Sequence, residues 1–495
     1  MSLNQMPVDK PTLYEGLAQS LTNLIESGTF QEGQRLPSIR DLSRQFGVSV
    51  NTVREAYGVL EVRRIIDSRP QSGYFVRRRA VPPASAGAVD WDVSDPHEVL
   101  PCAAREEYPS LVEGKPFQGL ALAKAAPDVS LFPTRRLNAF LGAVSREAGE
   151  ALIDYDTQKG VPELREAVAR ISLEAGVRLG PDDFLITGGC LPAIAMAVDV
   201  LCRPGDTVAV ESPTYSEFLK LFKSRDLKVL EIPTSPRDGM NLEVLEWALA
   251  RHEIKAVLSV PTFNNPGAFT MPDHRKKSLV EILAGKGIPL IEDDAYGELS
   301  FSGRRSPACK SFDPSGSVIY CSSVSKTVSP GYRVGWIAGG RWHDAIIQRK
   351  ILSSASASLP AQKAVARYLS EGNYARHLRT LTRRLGDHCR AAADVVMGTF
   401  PEGTRFSPPD GGLFLWVELP KTVDTEELYA LSVPEGIFFR PGVVFSAMGQ
   451  YSHCLRLGTG TWDPAVEASI ARLGTLACTL VTRPQISYLT SHDFP

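Results

Sequence analysis

The feature that most constrains this 495-residue chain is a long alternation of short β-rich runs and helical stretches, from about residue 121 to 478. Such alternation predicts a mainly parallel sheet covered by helices on both faces. After about residue 360, long helices precede one more strand at 412–419, which predicts a smaller α+β subdomain. We place the large subdomain at about 150–350 and the small one at about 360–480. The clearest strand runs in the large subdomain are 184–187, 208–211, 229–232, 256–260, 289–292, 318–321 and 333–338.

Residues 10–78 show a different pattern. Leucines recur at helical spacing from Leu13 to Leu24, a second helix opens at Ser38, and Gly47 ends it before Ser49 caps a third. Two short strands follow, joined through residues 68–72. This order predicts a winged helix-turn-helix, an α+β fold. Residues 79–120 show no sustained period, and we interpret them as a linker.

Composition excludes several other classes. The eight cysteines are scattered without close pairs, which favours reduced thiols in the cytoplasm and predicts neither disulfides nor a metal site. We see no apolar run of the roughly 18–20 residues that a membrane helix needs, and no signal peptide. Residues 1–79 carry 11 Lys/Arg against 8 Asp/Glu, an excess too small to indicate nucleic-acid binding by itself.

Chemically useful residues follow the predicted strands, which is where open α/β sheets bind their ligands. The turn Gly188-Gly189-Cys190 leads into a helix whose N-terminal amides favour an anion such as phosphate. Tyr215 follows the next run and could stack on a flat ring. The remaining strand-end residues are Asn265, Asp293, Tyr296, Ser323, Ser325, Lys326 and Arg333.

Each of these signals has an ordinary explanation when taken alone. The acids at 292–294 could hold a divalent metal, or one of them could cap the next helix. Ser323-x-x-Lys326 matches the acyl-serine motif of β-lactamase-like enzymes, but the chain lacks that motif's partner sequences. A lysine after a strand is most often a solvated charge.

One ligand would use the whole set, namely pyridoxal phosphate. Its aldehyde needs a lysine, its ring nitrogen needs a carboxylate, and its phosphate needs an arginine and backbone donors. Lys326, Asp293, Arg333 and the turn at 188–190 supply these groups. The sequence therefore predicts a pyridoxal-phosphate site at the carboxyl ends of the strands.

Over about 350 residues the chain resembles the fold-type I aminotransferases, on the motifs Tyr155-(x4)-Gly160, Asn265-Pro266-Gly267 and Asp293-x-x-Tyr296. The resemblance implies that Lys326 forms the Schiff base and that Asp293 meets the ring nitrogen. Asn265 and Tyr296 would reach the phenolic oxygen, and Tyr155 the phosphate of the neighbouring subunit. Ser323 and Ser325 precede the lysine as they do in that family. Arg456 matches the arginine that binds a substrate carboxylate.

Residues 36–42, 47–54 and 68–76 resemble the GntR-type winged helix. Joined to an aminotransferase-like domain, this module is typical of the MocR/GabR class of bacterial transcription regulators. The resemblance implies that the third helix enters the major groove of double-stranded DNA. Arg63-Arg64 departs from the pattern, which has a glycine before the wing. The implied DNA-contacting residues are Arg40, Ser49, Asn51, Thr52, Arg54 and Arg69.

The sequence therefore predicts a cytoplasmic, multidomain regulator without a membrane segment. Its aminotransferase-like domain would sense an amine or amino-acid effector, or a vitamin B6 species, through pyridoxal phosphate. The alternatives are a working aminotransferase with a vestigial or autoregulatory DNA-binding domain and, with less support, a bare carrier of the cofactor. The resemblance also implies a head-to-tail homodimer and an operator with paired half-sites.

Overall fold

The computed structural model describes residues 13–26, 30–31, 33–62, 65–69, 73–76, 100–101, 122–154, 158–407 and 409–482. The chain divides into two compact units, Met1–Ala84 and Ser85–Pro495, and we describe each by itself. The predicted phosphate-binding Tyr155, the Arg63-Arg64 pair and most of the interpreted linker lie outside the described residues.

The N-terminal unit is a winged helix-turn-helix, as predicted. Ser38 caps the second helix by accepting a hydrogen bond from the Asp41 N–H at 3.2 Å, and Gly47 ends that helix in the left-handed conformation at φ 66°. Fully buried Leu21, Tyr57 and Leu60 form its core. Its elements are α1 Leu13–Glu26, α2 Ile39–Phe46, α3 Val50–Val62, β1 Ile66–Arg69 and β2 Gly73–Val76, and the two strands pair antiparallel as the wing.

The second unit contains the remaining described helices and strands. Its helices are α4 Thr134–Ala148, α5 Pro162–Ser172, α6 Cys190–Leu201, α7 Ser216–Lys223, α8 Leu242–Arg251, α9 Asp273–Lys286, α10 His343–Ser354, α11 Leu359–Glu371, α12 Tyr374–Thr399, α13 Thr425–Ser432 and α14 Pro464–Thr482. Its strands are β3 Leu100–Pro101, β4 Phe184–Thr187, β5 Thr207–Ser212, β6 Lys228–Ser235, β7 Gly239–Met240, β8 Ile254–Ser259, β9 Leu290–Asp293, β10 Val318–Ser323, β11 Gly335–Ala338, β12 Arg405–Phe406, β13 Phe414–Glu418, β14 Arg440–Pro441 and β15 Cys454–Gly458.

The large sheet is mixed, with nine strands in the order β3-β6-β5-β8-β9-β10-β11-β4 and β7 beside β6. Strands β6, β5, β8, β9 and β10 run parallel, which confirms the predicted α/β architecture. Strand β11 is antiparallel to both neighbours, so its beginning lies at the edge where β4 and the parallel strands end. Strand β3, within the interpreted linker, pairs with β6 at the sheet edge.

Helices cover both faces of the large sheet, so its strands are buried on both sides. Apolar side chains of α6, α7 and α10 pack with one face. Those of α5 and α11, and of α8 and α9, pack with the other. The prediction places α11 in the small subdomain, whereas in the structure it packs against α4 and α5 beside the large sheet. A strand that is buried at every position, such as β5, is typical of such covered parallel sheets.

The small subdomain is an antiparallel sheet, in the order β12-β13-β15-β14, packed against α12, α13 and α14. Among the described residues, one helix is long and apolar enough to cross a membrane by length and composition alone, and this is α14. Its Ile470, Leu473 and Ala477 are buried in the core of the small subdomain. We therefore interpret α14 as a core helix.

Candidate functional site

The predicted site residues meet at one edge of the large sheet. Strands β4, β5, β8, β9 and β10 end there, and reversed β11 begins there. Gly335 pairs with Ser323 on one side and with Thr187 on the other. This register brings Arg333, just before β11, next to the turn that follows β4. Side chains separated by more than a hundred residues thus share one cleft.

Lys326 lies at the centre of this edge and is half-buried. Its Nζ donates a hydrogen bond to the Ala125 carbonyl at 2.6 Å and lies 5.5 Å from the centre of the Tyr296 ring. Burial lowers the pKa of Lys326 to about 8, although the nearby Asp293 carboxylate opposes that shift. A sizeable neutral fraction makes this amine a nucleophile near neutral pH.

Asp293 ends β9 and is buried, with 6% of its surface exposed. Its Oδ1 accepts hydrogen bonds from the Cys190 thiol at 3.1 Å and from the Ala295 N–H at 3.0 Å. Burial raises the pKa of Asp293 to about 6, while these hydrogen bonds lower it. A buried carboxylate of this kind is stabilised by a protonated ring nitrogen, since the two charges compensate each other.

The other two acids of the 292–294 run have different partners. Glu292 accepts hydrogen bonds from the backbone N–H groups of Cys309 and Lys310. Asp294 pairs with Arg305 and accepts a hydrogen bond from the Tyr320 hydroxyl at 2.6 Å. Within the described part of the chain, no group of three His, Cys, Asp or Glu residues is placed to hold a metal ion. The three acids therefore do not converge.

A hydrogen-bonded series connects the large subdomain to the small one. Asn265 donates to the Tyr296 hydroxyl at 3.3 Å, and its Oδ1 accepts from Arg456 Nη1 at 2.8 Å. Arg456 Nη2 donates to the Ala123 carbonyl at 2.8 Å. Burial raises the pKa of Tyr296 well above its usual value. The side-chain amide of Asn265 therefore forms hydrogen bonds to both Tyr296 and Arg456, which belong to different subdomains.

Arg456 is only 3% exposed, and no carboxylate of the described residues forms an ion pair with it. Its guanidinium lies 4.6 Å from the Phe414 ring centre and 5.2 Å from that of Phe445. Its Nε has no hydrogen-bond partner among the described residues. Burial lowers the pKa of Arg456 to about 10. A buried cation with an unsatisfied donor is suited to bind an anion.

The turn after β4 forms an anion cradle with Arg333. Gly189 has φ +124°, and a Cβ built on it would lie 2.7 Å from Arg333 Nη2, whereas a Cβ on Gly188 would meet nothing within 4 Å. Helix α6 begins at Cys190, so its first N–H groups face this turn. Exposed Arg333 and open backbone donors together suit a phosphate.

Three further predicted residues border the site. The Ser323 Oγ accepts a hydrogen bond from the Ser325 N–H at 3.3 Å, and both serines are buried in the turn before Lys326. Tyr215 is half-buried after β5, with its ring edge-on to Phe218 at 5.2 Å. Burial raises the pKa of Tyr215 to about 12, which keeps its hydroxyl protonated.

These groups fit pyridoxal phosphate. The site offers an amine, a buried carboxylate, an aromatic ring and an anion cradle at one sheet edge. Sequence reasoning missed the carbonyls of Ala123 and Ala125 and the Cys190–Asp293 hydrogen bond. No side-chain motif could have indicated those carbonyls, because backbone acceptors are common to every residue.

The second candidate site is the exposed surface of α3 in the N-terminal unit. Ser49 caps this helix by accepting from the Thr52 N–H at 3.1 Å. Arg54 donates to Asn51 Oδ1 at 3.2 Å, and both side chains are exposed, as is Arg40 on α2. Arg69 lies at the end of β1, but its side chain lies outside the described part. Exposed polar groups along one helix are what a groove-reading helix presents.

Exposed Arg35 was not predicted as a DNA contact. Its backbone bridges to Phe75 of the wing, and a Cβ on Gly73 would lie 3.2 Å from its Nε. The sequence before α2 carries no strand pattern, so its proximity to the wing was not visible there.

Comparison with known proteins matches both units. The family described as "Aminotransferase class I and II" matches residues 121–473, and "Bacterial regulatory proteins, gntR family" matches residues 13–76. The HTH-type transcriptional regulator YjiR of Escherichia coli (strain K12) is 36% identical, over 90% of this chain and 94% of its own. YdcR of the same organism, also described as an HTH-type transcriptional regulator, is 35% identical over 94% and 98%.

A solved structure supports the fold and the cofactor. LysN, an α-aminoadipate aminotransferase from Thermus thermophilus complexed with N-(5'-phosphopyridoxyl)-L-leucine, aligns with a TM-score of 0.68 and 28% identity. The alignment covers 73% of this chain and 92% of LysN. The chain belongs to the MocR-type HTH transcriptional regulators, in which a GntR-family DNA-binding domain is fused to a class I and II aminotransferase domain whose cofactor is pyridoxal phosphate.

Proposed function

We propose that this regulator senses an amine-bearing effector through the pyridoxal phosphate that Lys326 holds. The observation that carries the proposal is the half-buried Lys326 amine beside Asp293, in a chain that also presents the exposed α3 surface. A cytoplasmic location follows if the protein binds chromosomal DNA. Amine exchange at Lys326 would be the signal.

The cofactor supplies an aldehyde that links reversibly to amines and a ring that withdraws electrons. In our proposal Lys326 provides the amine for that link, and Asp293 holds a proton on the ring nitrogen. Asn265 and Tyr296 bind the phenolic oxygen, and Tyr215 stacks on the ring. Ser323 and Ser325 orient the lysine turn. The phosphate is bound by Arg333, Gly188, Gly189, Cys190 and Tyr155 from the partner subunit.

Arg456 would bind the carboxylate, or a sulfonate, of the effector. Support comes from its deep burial without an ion-pair partner among the described residues, and from its orphaned Nε. Because Arg456 belongs to the small subdomain and bonds to Asn265 of the large one, an anion there would favour one arrangement of the two subdomains. An effector that binds one conformation better than another shifts the equilibrium between them.

We also propose a head-to-tail homodimer that reads an operator with paired half-sites. The proposal rests on the resemblance that gives Tyr155 its role across the dimer. Asn51, Thr52 and Arg54 would face bases or phosphates in the major groove, Ser49 and Arg40 the backbone, and Arg69 the minor groove.

Two measurements test the sensor. First, the visible absorption of purified wild type and Lys326→Ala is followed while amines are titrated in. We expect the band of the lysine-linked cofactor in wild type and in Lys277→Ala, a control at an exposed lysine of α9, and its loss in Lys326→Ala. A band that persisted unchanged in Lys326→Ala would disprove the assignment.

Second, DNA from around the protein's own gene is tested for retardation in gels. Specific retardation that changes when an amine is added supports the proposal, and its complete absence would refute DNA regulation at that site. If cofactor loading alone changes retardation and amines have no effect, the effector is a vitamin B6 species.

A working aminotransferase is the second candidate. The observation that favours it is that the Lys326 amine lies 5.5 Å from the centre of the Tyr296 ring, which Asn265 connects to Arg456. Burial lowers the pKa of Lys326 to about 8, which lets this amine take up and release protons near neutral pH. Turnover of an amino acid with a keto acid at more than trace rates, abolished in Lys326→Ala, would support this function.

A further inference from the structure

Arg440 lies directly opposite Arg456 on the neighbouring strand of the small sheet. Strands β14 and β15 pair antiparallel, with Arg440 opposite Arg456 and Pro441 opposite Leu455. Side chains of directly opposed residues share a face, with Cβ atoms about 4.5–5.5 Å apart. Arg456 turns that face toward Asn265 and the site. Arg440 therefore stands on the same face as the proposed carboxylate-binding arginine.

The surroundings of Arg440 indicate that its charge reaches the site. Burial raises the pKa of Tyr215 to about 12, and the Arg440 charge opposes that rise. The pKa of Arg456 is lowered to about 10, chiefly by burial and in part by the charge of Arg440. Two arginines directly opposite each other repel, so their pairing costs stability unless an anion lies between or beside them.

Arg440 is half-buried, and its side chain forms neither a hydrogen bond nor an ion pair with any described residue. The charge of Glu217 on α7 raises the pKa of both Tyr215 and Arg456. Glu217 forms its ion pair with Lys220 at 2.9 Å and forms none with Arg440 or Arg456. Two guanidinium groups thus face the cleft between the subdomains, and neither forms an ion pair with a carboxylate of the described residues. Both are available to bind an anionic ligand.

We propose that Arg440 binds a second acidic group of the effector, so that the effector is an amino acid with an acidic side chain. The inference rests on the proposed function, in which Arg456 binds the first carboxylate. Arg440 is then the residue that determines specificity for the side chain of the effector. An amide of the same shape lacks the charge that makes a hydrogen bond to arginine strong.

The test uses matched acid and amide pairs: L-glutamate with L-glutamine, and L-aspartate with L-asparagine. Each is titrated into the protein loaded with pyridoxal phosphate while the visible absorption of the cofactor is followed. We expect wild type to bind the acid of at least one pair about tenfold more tightly than its amide. In Arg440→Gln the preference should fall below about twofold, through weaker binding of the acid alone.

Arg472→Gln is the control, since it removes an exposed arginine of the same subdomain that pairs with Glu435. It should keep the wild-type preference. Equal binding of acids and amides by wild type, or equal weakening of both by Arg440→Gln, would overturn the inference and leave the sensor proposal intact. If none of the four amino acids changed the absorption of wild type, this inference would fail, and the titration with other amines would still decide the sensor proposal.

Discussion

Replacing Gly189 with alanine should weaken cofactor binding as well as the stability of the fold. At φ +124° and ψ 177° the backbone of Gly189 lies in a region that is essentially restricted to glycine. An alanine there should cost about 1–3 kcal/mol of the free energy of unfolding. Its Cβ would also lie 2.7 Å from Arg333 Nη2. Exposed Arg333 can swing aside, but its guanidinium then leaves the cradle.

A charge-assisted hydrogen bond contributes about 1.5–3 kcal/mol, so losing one should weaken pyridoxal-phosphate binding by at least about tenfold. The assay is an absorbance titration of the cofactor-free protein, alongside urea unfolding of the same sample. Gly287→Ala is the matched control, because Gly287 also has a positive φ, 71°, and a Cβ there would meet nothing within 4 Å.

Gly287 precedes β9, so it lies at the sheet edge opposite the site. The control should lose stability and keep its cofactor affinity. Wild-type affinity in Gly189→Ala, despite the expected loss of stability, would refute the assignment of this turn as the phosphate cradle.

Three other predictions concern the lysine, the core of the winged helix and its DNA-facing surface. Because burial lowers the pKa of Lys326 to about 8, the rate of cofactor loading should rise with pH. The rate should level off at about pH 9, where most of the amine is neutral, and a continued rise toward pH 10.5 would contradict this prediction. Tyr57→Phe removes the hydroxyl that donates to the Pro37 carbonyl at 2.7 Å, at a cost of about 1 kcal/mol, so amide hydrogen exchange in α3 should accelerate about fivefold. Arg54→Ala should weaken DNA binding and, if Arg54 contacts a phosphate, reduce the slope of affinity against salt by about 1, whereas Arg390→Ala on α12 should leave both unchanged.

The winged helix and the strand-end chemistry could be predicted because both depend on local patterns. Ser38, Gly47 and Ser49 mark helix ends through caps and a left-handed turn that a few adjacent residues determine. The predicted strands of the large sheet are short apolar runs, and their ends differ from those in the structure by at most three residues. Strand β3 was not predicted, since two residues carry no period.

The partners of each side chain could not be predicted, because they depend on strand order and direction. Glu292, Asp293 and Asp294 are consecutive, yet alternation along a strand sends neighbours to opposite faces. Asp293 therefore meets Cys190 on one side, and Asp294 meets Arg305 elsewhere. The reversal of β11 that brings Arg333 to the phosphate turn leaves no mark in the sequence.

The sequence by itself determined which two domains this protein has. It also identified Lys326 as the predicted cofactor-binding lysine. Those conclusions depend on periodicity and on motifs a few residues long, which the chain carries whether or not it is folded. Only the tertiary structure decided that Arg440 faces Arg456, and that the Ala123 and Ala125 carbonyls lie against Arg456 and Lys326. The physical reason is that these contacts join residues that only sheet pairing and packing bring together.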